Sequence, residues 1–174
     1  NTINDIIDIS KIEAGQVELV ESSFFVNDLL TELYHFFNEE AKVKGLEFVV
    51  ILETKDSNSR ITTDKAKLES VLTNLIKNAI KFTKNGKISF GYRKDETKEN
   101  YNFFVEDTGI GIPKNRIGAI FNRFEQADIE DRMALEGSGL GLAISSSYVQ
   151  MLGGAISVIS EENQGSEISF TIPV

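Results

Sequence analysis

The chain has 174 residues, 41% hydrophobic and 26% charged, which is the composition of a folded domain with a sizeable core. Its net charge of −9 disfavours nucleic acid and anionic membrane surfaces as partners, because both bind basic faces. The absence of Cys excludes disulfides and thiolate chemistry, and no apolar run approaches the ~20 residues that span a bilayer. The first residue is not Met, so we expect a piece of a longer protein.

The first third of the chain predicts two helices and two strands. Residues 2–14 carry Ile at helical spacing and end at Gly15, which predicts the last turns of a longer amphipathic helix. Residues 16–26 alternate and include aromatics, which predicts a strand. Asn27 is a suitable cap for a helix running to about Lys44, and residues 46–52 predict the next strand. The apolar face of that helix comprises Leu29, Leu30, Leu33, Phe36 and Phe37.

The remainder predicts two more helices and two strand pairs. Asp64 is placed to cap a helix that continues to about Lys81 and is buried through Leu68, Val71, Leu72, Leu75 and Ala79. The other predicted elements are an antiparallel pair (87–94 and 101–106), a loop-rich segment (107–138), a helix (139–152) and a hairpin (155–160 and 167–172). Strands and helices do not follow a βαβ alternation, so we expect helices layered on one face of a mixed sheet.

Four short motifs could carry chemistry. On the third predicted helix, Asn74, Asn78 and Lys81 share the face opposite the leucines. Amide oxygens suit Mg²⁺ and an ammonium suits phosphate, although a solvated helix face gives the same pattern.

The second motif is Asp107-Thr108-Gly109-Ile110-Gly111-Ile112-Pro113, at the end of a predicted strand. A carboxylate there can accept a hydrogen bond from an adenine amino group, and glycines let the backbone approach a flat ring. A tight turn with Gly at positive φ explains the same residues.

The third motif, Gly137-Ser138-Gly139-Leu140-Gly141-Leu142, leads into an apolar helix. Glycines before a helix N-terminus present N–H groups to phosphates, although a plain helix start remains an alternative. The spacing is neither a dinucleotide fingerprint nor a P-loop.

The fourth motif, Phe121-Asn122-Arg123-Phe124-Glu125-Gln126, lies in the long segment between the two glycine motifs. Phe121 and Phe124 are interpreted as anchors onto the core, and Arg123, held between them, could reach a γ-phosphate. A loop of this length bracketed by glycines favours a lid.

In this order, the four motifs resemble the histidine kinase branch of the GHKL (gyrase, Hsp90, histidine kinase, MutL) ATP-binding superfamily. Residues 74–83 resemble its N box, 107–111 the G1 box, 121–126 the F box and 137–142 the G2 box. Gly165-Ser166 is similar to a weaker final glycine motif, although Glu167 departs from the small hydroxyl residue common there, and Asn122 replaces a common acidic residue.

The resemblance implies an α+β fold, a two-layer α/β sandwich (the Bergerat fold), with a mixed, mostly antiparallel sheet, helices on one face and a long ATP lid. It implies ATP and Mg²⁺ as ligands, with Asn78 as the principal metal ligand and Asn74 supporting it. No residue of this chain is assigned a catalytic role. The implied nucleotide-binding residues are Asn74, Asn78, Lys81, Phe82, Asp107, Gly109, Gly111, Ile112, Arg123, Gly137, Ser138, Gly139, Leu140, Gly141 and Leu142, with Arg132 as a weaker phosphate candidate.

One position separates the branches of this superfamily. The ATPase members resemble each other in having a Glu at the position that Asn74 occupies here. That Glu acts as the general base that activates water. The resemblance therefore implies slow hydrolysis and transfer of the γ-phosphoryl group to another acceptor. Glu69 is more than a turn away and is interpreted as a solvated residue.

The N-terminal residues resemble the end of a dimerisation and phosphoacceptor hairpin, so we expect residues 1–15 to belong to it and 16–174 to the catalytic domain. The acceptor His of the family is followed by an acidic residue and then a Pro. His35, the single His, has no Pro nearby and is interpreted as a partly buried structural residue.

The implied activity is that of an ATP:protein-histidine phosphotransferase in a two-component system. The implied partners are the hairpin of the same protein and a response-regulator receiver domain, with no nucleic acid and no direct membrane contact. We expect a cytoplasmic domain that is monomeric by itself. We expect the parent protein to be a homodimer, and a location of that parent in the inner membrane stays open. Two alternatives stay open: a non-catalytic nucleotide-binding or scaffold domain, and a GHKL ATPase or serine kinase.

Overall fold

The computed structural model describes residues 2–55, 58–95, 97–122 and 140–173. The helices are α1 (Thr2–Glu13), α2 (Val26–Val43), α3 (Lys65–Phe82) and α4 (Gly141–Met151), with a short 3-10 helix at Ile117–Ala119. The strands are β1 (Ser22–Phe25), β2 (Glu47–Ile51), β3 (Arg60–Thr63), β4 (Lys87–Asp95), β5 (Asn100–Asp107), β6 (Ile156–Glu161) and β7 (Gly165–Pro173). None of the helices in these ranges combines the length and apolar character needed to cross a bilayer.

The principal sheet is open and has the strand order β2-β4-β5-β7-β6. Its neighbours are antiparallel except β2 and β4, which run parallel because α3 crosses between them. This βαβ crossover is a feature that the sequence pattern did not predict, since β2 and α3 are separated by the irregular segment around β3. The predicted mixed, mostly antiparallel sheet is confirmed.

One face of the sheet carries the core. The register places Tyr92 opposite Phe103, and Phe103 opposite Phe170, so that large rings align across three strands. The Phe103 and Phe170 rings stack with centroids 5.2 Å apart. These side chains form one cluster with Leu30 and Leu72 from α2 and α3. Helices α2 and α3 thus pack on the face of the sheet that carries these rings, which confirms helices layered on one face.

On the opposite face of the sheet, the long side chain of Arg93 covers a buried ring. Phe104 points to this side and is fully buried. The guanidinium carbon of Arg93 lies 4.2 Å from the Phe104 ring centroid, which is a cation–π contact. Ile159, on the edge strand β6, is 73% exposed.

The first predicted strand was wrong in its extent. Residues 16–21 are not a strand: β1 pairs with the four-residue strand β3, which ends at Thr63 opposite Ser22. Strand β3 was not predicted, because Ile61 is its single apolar residue.

The cap and the face of α2 also differ from expectation. Phe25 occupies the N-cap position, and Asn27 lies inside the helix, where its amide donates to the Thr54 carbonyl and accepts from the Tyr92 hydroxyl. Phe36 was predicted on the apolar face but is 73% exposed, because Leu33 and Phe37, one turn apart, take the buried positions.

Asp64 caps α3 as predicted and also fixes the segment before β1. Its carboxylate accepts the Lys67 N–H at 3.0 Å and the Val20 N–H at 2.9 Å, and it pairs with the Lys67 ammonium at 2.7 Å. Burial raises the pKa of Asp64, but these hydrogen bonds and the Lys67 charge outweigh it and leave the pKa below its ordinary value. The Lys67 ammonium in turn donates to the Glu18 carbonyl at 2.8 Å.

We expect Asp64→Ala to destabilise the domain by about 3 kcal/mol, because it removes a cap and leaves the half-buried Lys67 ammonium without its carboxylate. The pKa of Asp64 is lowered in the folded state. The greater unfolding free energy of the natural chain relative to Asp64→Ala is therefore present above the unfolded-state pKa and is lost as pH falls through the folded-state pKa. Urea unfolding of both chains at several pH values measures this. Glu39→Ala, which breaks the exposed pair with Lys42, is the control and should change little.

Candidate functional site

The C-terminal end of α3 meets the loop that follows β5. The Ile110 N–H donates to the Phe82 carbonyl at 3.2 Å, so the last turn of the helix and the glycine loop are joined through their backbones. The Asp107 carboxylate accepts the Gly109 N–H at 2.9 Å, which folds the loop back over the end of β5. The predicted N-box and G1-box residues therefore lie side by side at this point.

Gly109 is required by close approach of three groups. A Cβ on this residue would lie 2.3 Å from the Phe82 carbonyl oxygen, 2.8 Å from Thr83 Oγ1 and 2.9 Å from Asp107 Oδ1. No side chain fits there without displacing backbone. The polar atoms around this position form one corner, which we call the Asp107 corner, comprising Phe82, Thr83, Asp107 and Gly109.

The Asp107 carboxyl is half-buried at the end of β5. Burial raises its pKa above the ordinary value, the N–H groups of Gly109 and Ser166 oppose that shift, and the neighbouring Glu106 charge adds to it. A half-buried carboxylate with raised pKa in a polar corner is typical of a binding group rather than a solvated side chain.

The next part of the loop is fixed to the β6–β7 hairpin. The Asn163 N–H donates to the Ile110 carbonyl at 2.7 Å, and the Ile112 N–H donates to Ser160 Oγ at 2.8 Å. Gly111 has φ +67°, and a Cβ there would lie 2.1 Å from the Glu161 carbonyl oxygen. The hairpin thus holds residue 111 in a left-handed backbone conformation, which glycine adopts more easily than any other residue type.

Further up α3, Asn74 contacts the start of α4. Its amide donates to Ser145 Oγ at 2.9 Å, and a Cβ on Gly141 would lie 2.4 Å from Asn74 Oδ1. Ser145 is buried. Because Gly141 begins α4, the first N–H groups of that helix open next to Asn74.

Asn78 and Lys81 are half-buried and lie between these two contacts on α3. The Lys81 ammonium lies 5.1 Å from the Phe82 ring centroid. Residues 74 and 82 are about 12 Å apart along the helix axis. The Asp107 corner therefore lies at one end of a polar strip and the N-terminus of α4 at the other, with an ammonium and two amides between.

The remaining predicted residues divide into two groups. Leu140 packs with Ile9 and Ile144 in a small cluster between α1 and α4, and Leu142 packs against the main core. Their side chains are thus occupied by packing, which leaves their backbones as the groups that could face a ligand. The predicted residues Arg123, Phe124, Arg132, Gly137, Ser138 and Gly139, with most of the predicted lid, lie outside the described residues.

Two side chains at the site were not singled out from the sequence. Ser145, which holds Asn74, follows Gly141 by one helical turn, and that spacing was the available signal. Thr83, in the Asp107 corner, is the last residue of the N-box stretch and immediately follows α3.

The sequence interpretation of two other polar residues had mixed success. Glu69 is exposed, as predicted. His35 was predicted to be partly buried but is exposed, because it lies on the outer side of α2 beside Phe36. Its ring contacts the edge of the Tyr34 ring, with centroids 5.6 Å apart.

Comparison with known proteins accounts for the arrangement of these motifs. The family model described as "Histidine kinase-, DNA gyrase B-, and HSP90-like ATPase" matches residues 63–174, the part that contains α3, α4 and the glycine loop. The chain belongs to this family. The catalytic domain of the histidine kinase ThkA superposes with a TM-score of 0.74 at 30% identity, covering 90% of this chain and 96% of that one.

Two further proteins are similar over nearly the whole chain. The sensor protein GacS of Pseudomonas syringae is 39% identical over 176 residues, which is 98% of this chain but 19% of GacS. The full-length ShkA structure in complex with AMPPNP has a TM-score of 0.86 at 29% identity, covering 99% of this chain and 35% of ShkA. The chain is therefore a histidine kinase ATP-binding domain of the GHKL superfamily, and it spans about a fifth of the length of GacS.

Proposed function

We propose that this chain binds Mg-ATP along the strip between the Asp107 corner and the N-terminus of α4, and donates the γ-phosphoryl group to a histidine. The observation that carries the proposal is the contact of three motifs, distant in sequence, along one face of α3. Asp107 would accept a hydrogen bond from the adenine amino group, and Gly109, which has no side chain, would let the ring approach the backbone.

The phosphate end of the strip has the groups that a triphosphate needs. The N-terminus of α4 presents N–H donors and a positive dipole end, and Lys81 supplies a charge. Gly141 keeps the approach to Asn74 short, since any side chain there would meet the Asn74 amide. Arg123 and the glycines 137 and 139 are proposed to complete this end.

The donor chemistry also fits magnesium. Asn78 offers a neutral, hard amide oxygen on the same face as Lys81, and Mg²⁺ usually combines a few such oxygens with phosphate oxygens and water. Asn74 is proposed to support it. Its amide N–H₂ is engaged by Ser145, which turns the amide oxygen towards Gly141 and the start of α4.

In the proposed transfer, the bond between the γ-phosphorus and the bridging oxygen breaks, ADP leaves, and a phosphorus–nitrogen bond forms on the acceptor imidazole. The chain contributes by positioning and by neutralising charge on the triphosphate. Asn74 stands where a carboxylate base would activate water, so we propose slow hydrolysis. The acceptor and its acid–base partner are assigned to a dimerisation hairpin. Residues 1–15 would be the end of that hairpin, and residues 16–174 would form the catalytic domain.

The partners follow from the same proposal. Autophosphorylation would need the hairpin of the same protein, in a homodimer, and the phosphoryl group would pass to an aspartate of a receiver domain. GacS is named as a sensor protein and BarA of Escherichia coli, 37% identical over 173 residues, as a signal transduction histidine-protein kinase.

Calorimetric titration with AMPPNP, with and without Mg²⁺, tests the proposal directly. Micromolar binding strengthened by Mg²⁺ supports it, and incubation with ATP and a hairpin bearing the acceptor His should then give phosphohistidine and ADP. A folded chain that binds no nucleotide would point to the scaffold alternative, and rapid release of phosphate from ATP would point to the ATPase alternative.

We expect Asn78→Ala to remove most of the Mg²⁺ effect on AMPPNP affinity, about a tenfold loss measured in the presence of the metal. Affinity measured without Mg²⁺ should change little, because the Asp107 corner is untouched. Lys77→Ala, at the adjacent exposed position, is the matched control on the same helix. Equal Mg²⁺ dependence in the natural chain and Asn78→Ala would contradict the metal assignment.

A further inference from the structure

Thr83 is a buried hydroxyl in the Asp107 corner that the proposed function does not use. It follows the last turn of α3 with extended backbone, and its side chain is fully buried. Within the described part of the chain, Thr83 Oγ1 has no hydrogen-bond partner. Buried hydroxyls nearly always have one, so this atom requires an explanation.

The surroundings of Thr83 Oγ1 indicate which partner it serves. Thr83 Oγ1 and Asp107 Oδ1 lie within 3 Å of the same point, the position of a Cβ on Gly109. The two oxygens are therefore less than about 6 Å apart, a separation that one bridging water molecule can span. The Phe82 carbonyl beside them already accepts the Ile110 N–H, and the Gly109 N–H is donated to Asp107.

A hydroxyl donor beside this carboxylate has a chemical consequence. An ionised Asp107 can only accept hydrogen bonds, which suits the amino group of adenine. A protonated Asp107 can donate, which suits the carbonyl that guanine carries at the corresponding position. A neighbouring O–H favours the ionised form, because it donates to the charge that burial disfavours.

We propose that Thr83 is a positioning residue that donates a hydrogen bond to the Asp107 carboxylate through one bridging water, and thereby sets the preference for adenine over guanine nucleotides. The inference rests on the proposed function, since it concerns the same nucleotide site. Thr83 acts through Asp107 and does not itself contact the base, because its hydroxyl is enclosed behind Gly109.

The test compares Thr83→Val, which keeps the shape and removes the hydroxyl, with Thr83→Ser, which keeps the hydroxyl. Affinities for AMPPNP and GMPPNP are measured by calorimetry from pH 5 to pH 8 on the natural chain and both variants. Thr62→Val is the matched control, since Thr62 is an exposed threonine of the two-stranded sheet whose hydroxyl already contacts Ser23 at 2.6 Å.

We expect Thr83→Val to weaken AMPPNP binding about tenfold, as loss of a hydrogen bond to a charged group does. GMPPNP binding should weaken less, so that the ratio of the two affinities narrows. The pH below which AMPPNP binding declines should move upward, because Asp107 loses a donor that favours its ionised form. Thr83→Ser should restore both the ratio and the pH profile.

A purely structural hydroxyl would behave differently. Thr83→Val would then alter the thermal unfolding midpoint while leaving the affinity ratio and the pH profile as in Thr62→Val, and that result overturns the inference. If the natural chain itself binds neither analogue, the proposed function fails and this inference fails with it. The two failures are distinguished by the titration of the natural chain.

Discussion

Asp107→Asn should lose nucleotide binding about 100-fold while gaining stability at neutral pH. The carboxylate accepts N–H groups from Gly109 and Ser166 and, in the proposed complex, from the adenine amino group. Asn offers one oxygen and one N–H₂ group, so at least one of these donors would face another donor. The loss combines a missing charge-assisted hydrogen bond with an unsatisfied polar group.

The stability change has a defined sign. Burial raises the folded-state pKa of Asp107, so the folded chain binds this proton more tightly than the unfolded chain does. The stabilisation from that proton is fully present below the unfolded pKa and is lost as pH rises through the folded pKa. Asn cannot ionise, so Asp107→Asn should exceed the natural chain in stability at pH 7, and the difference should shrink as pH falls.

Urea unfolding at pH 7 and at pH 4, together with AMPPNP titration at pH 7, measures both effects. Glu69→Gln is the control, because Glu69 is an exposed carboxylate on α3. If Asp107→Asn binds AMPPNP with unchanged affinity, Asp107 does not contact the base. If Asp107→Asn is less stable at pH 7 than the natural chain, the ionised carboxylate stabilises the fold. In that case Asp107 does not lower stability in return for nucleotide binding.

The regular parts of the fold could be predicted from the sequence because local signals agreed there. Residues from Asp64 to Thr83 combine a cap, a helical apolar period and a polar face, and α3 forms where expected. Strands β4 and β5 could be paired from their alternation. The first strands could not, because β3 has one apolar residue and the partner of β1 is set by tertiary contacts.

For the candidate site, the sequence pattern predicts a list of residues but not their arrangement. The order of the motifs identified Asn74, Asp107 and Gly141, and the structure places each of them on the polar strip. The groups that hold them come from distant parts of the chain: Ser145 bonds Asn74, and the β6–β7 hairpin bonds the glycine loop. No local pattern encodes such pairs, since a serine in a helix or an Asn in a turn has many ordinary explanations.

Gly111→Ala is expected to displace the glycine loop and to reduce AMPPNP affinity about 100-fold. At φ +67° an L-residue pays about 1–2 kcal/mol for its conformation alone. The added Cβ would also lie 2.1 Å from the Glu161 carbonyl oxygen, a backbone atom that moves only if the hairpin moves. Relief of that contact breaks the hydrogen bond between the Asn163 N–H and the Ile110 carbonyl, which positions the loop beside Asp107.

Gly118→Ala separates this effect from a general sensitivity of the segment. Gly118 lies in the short 3-10 helix a few residues later, and a Cβ there meets nothing within 4 Å. The unfolding free energy of Gly118→Ala should stay within about 0.5 kcal/mol of that of the natural chain, and its AMPPNP affinity should be unchanged. Gly111→Ala should still show the circular dichroism of a folded domain, because the core face of the sheet does not involve the loop. A folded Gly111→Ala variant that binds AMPPNP as tightly as Gly118→Ala would show that the hairpin contact does not position the nucleotide site.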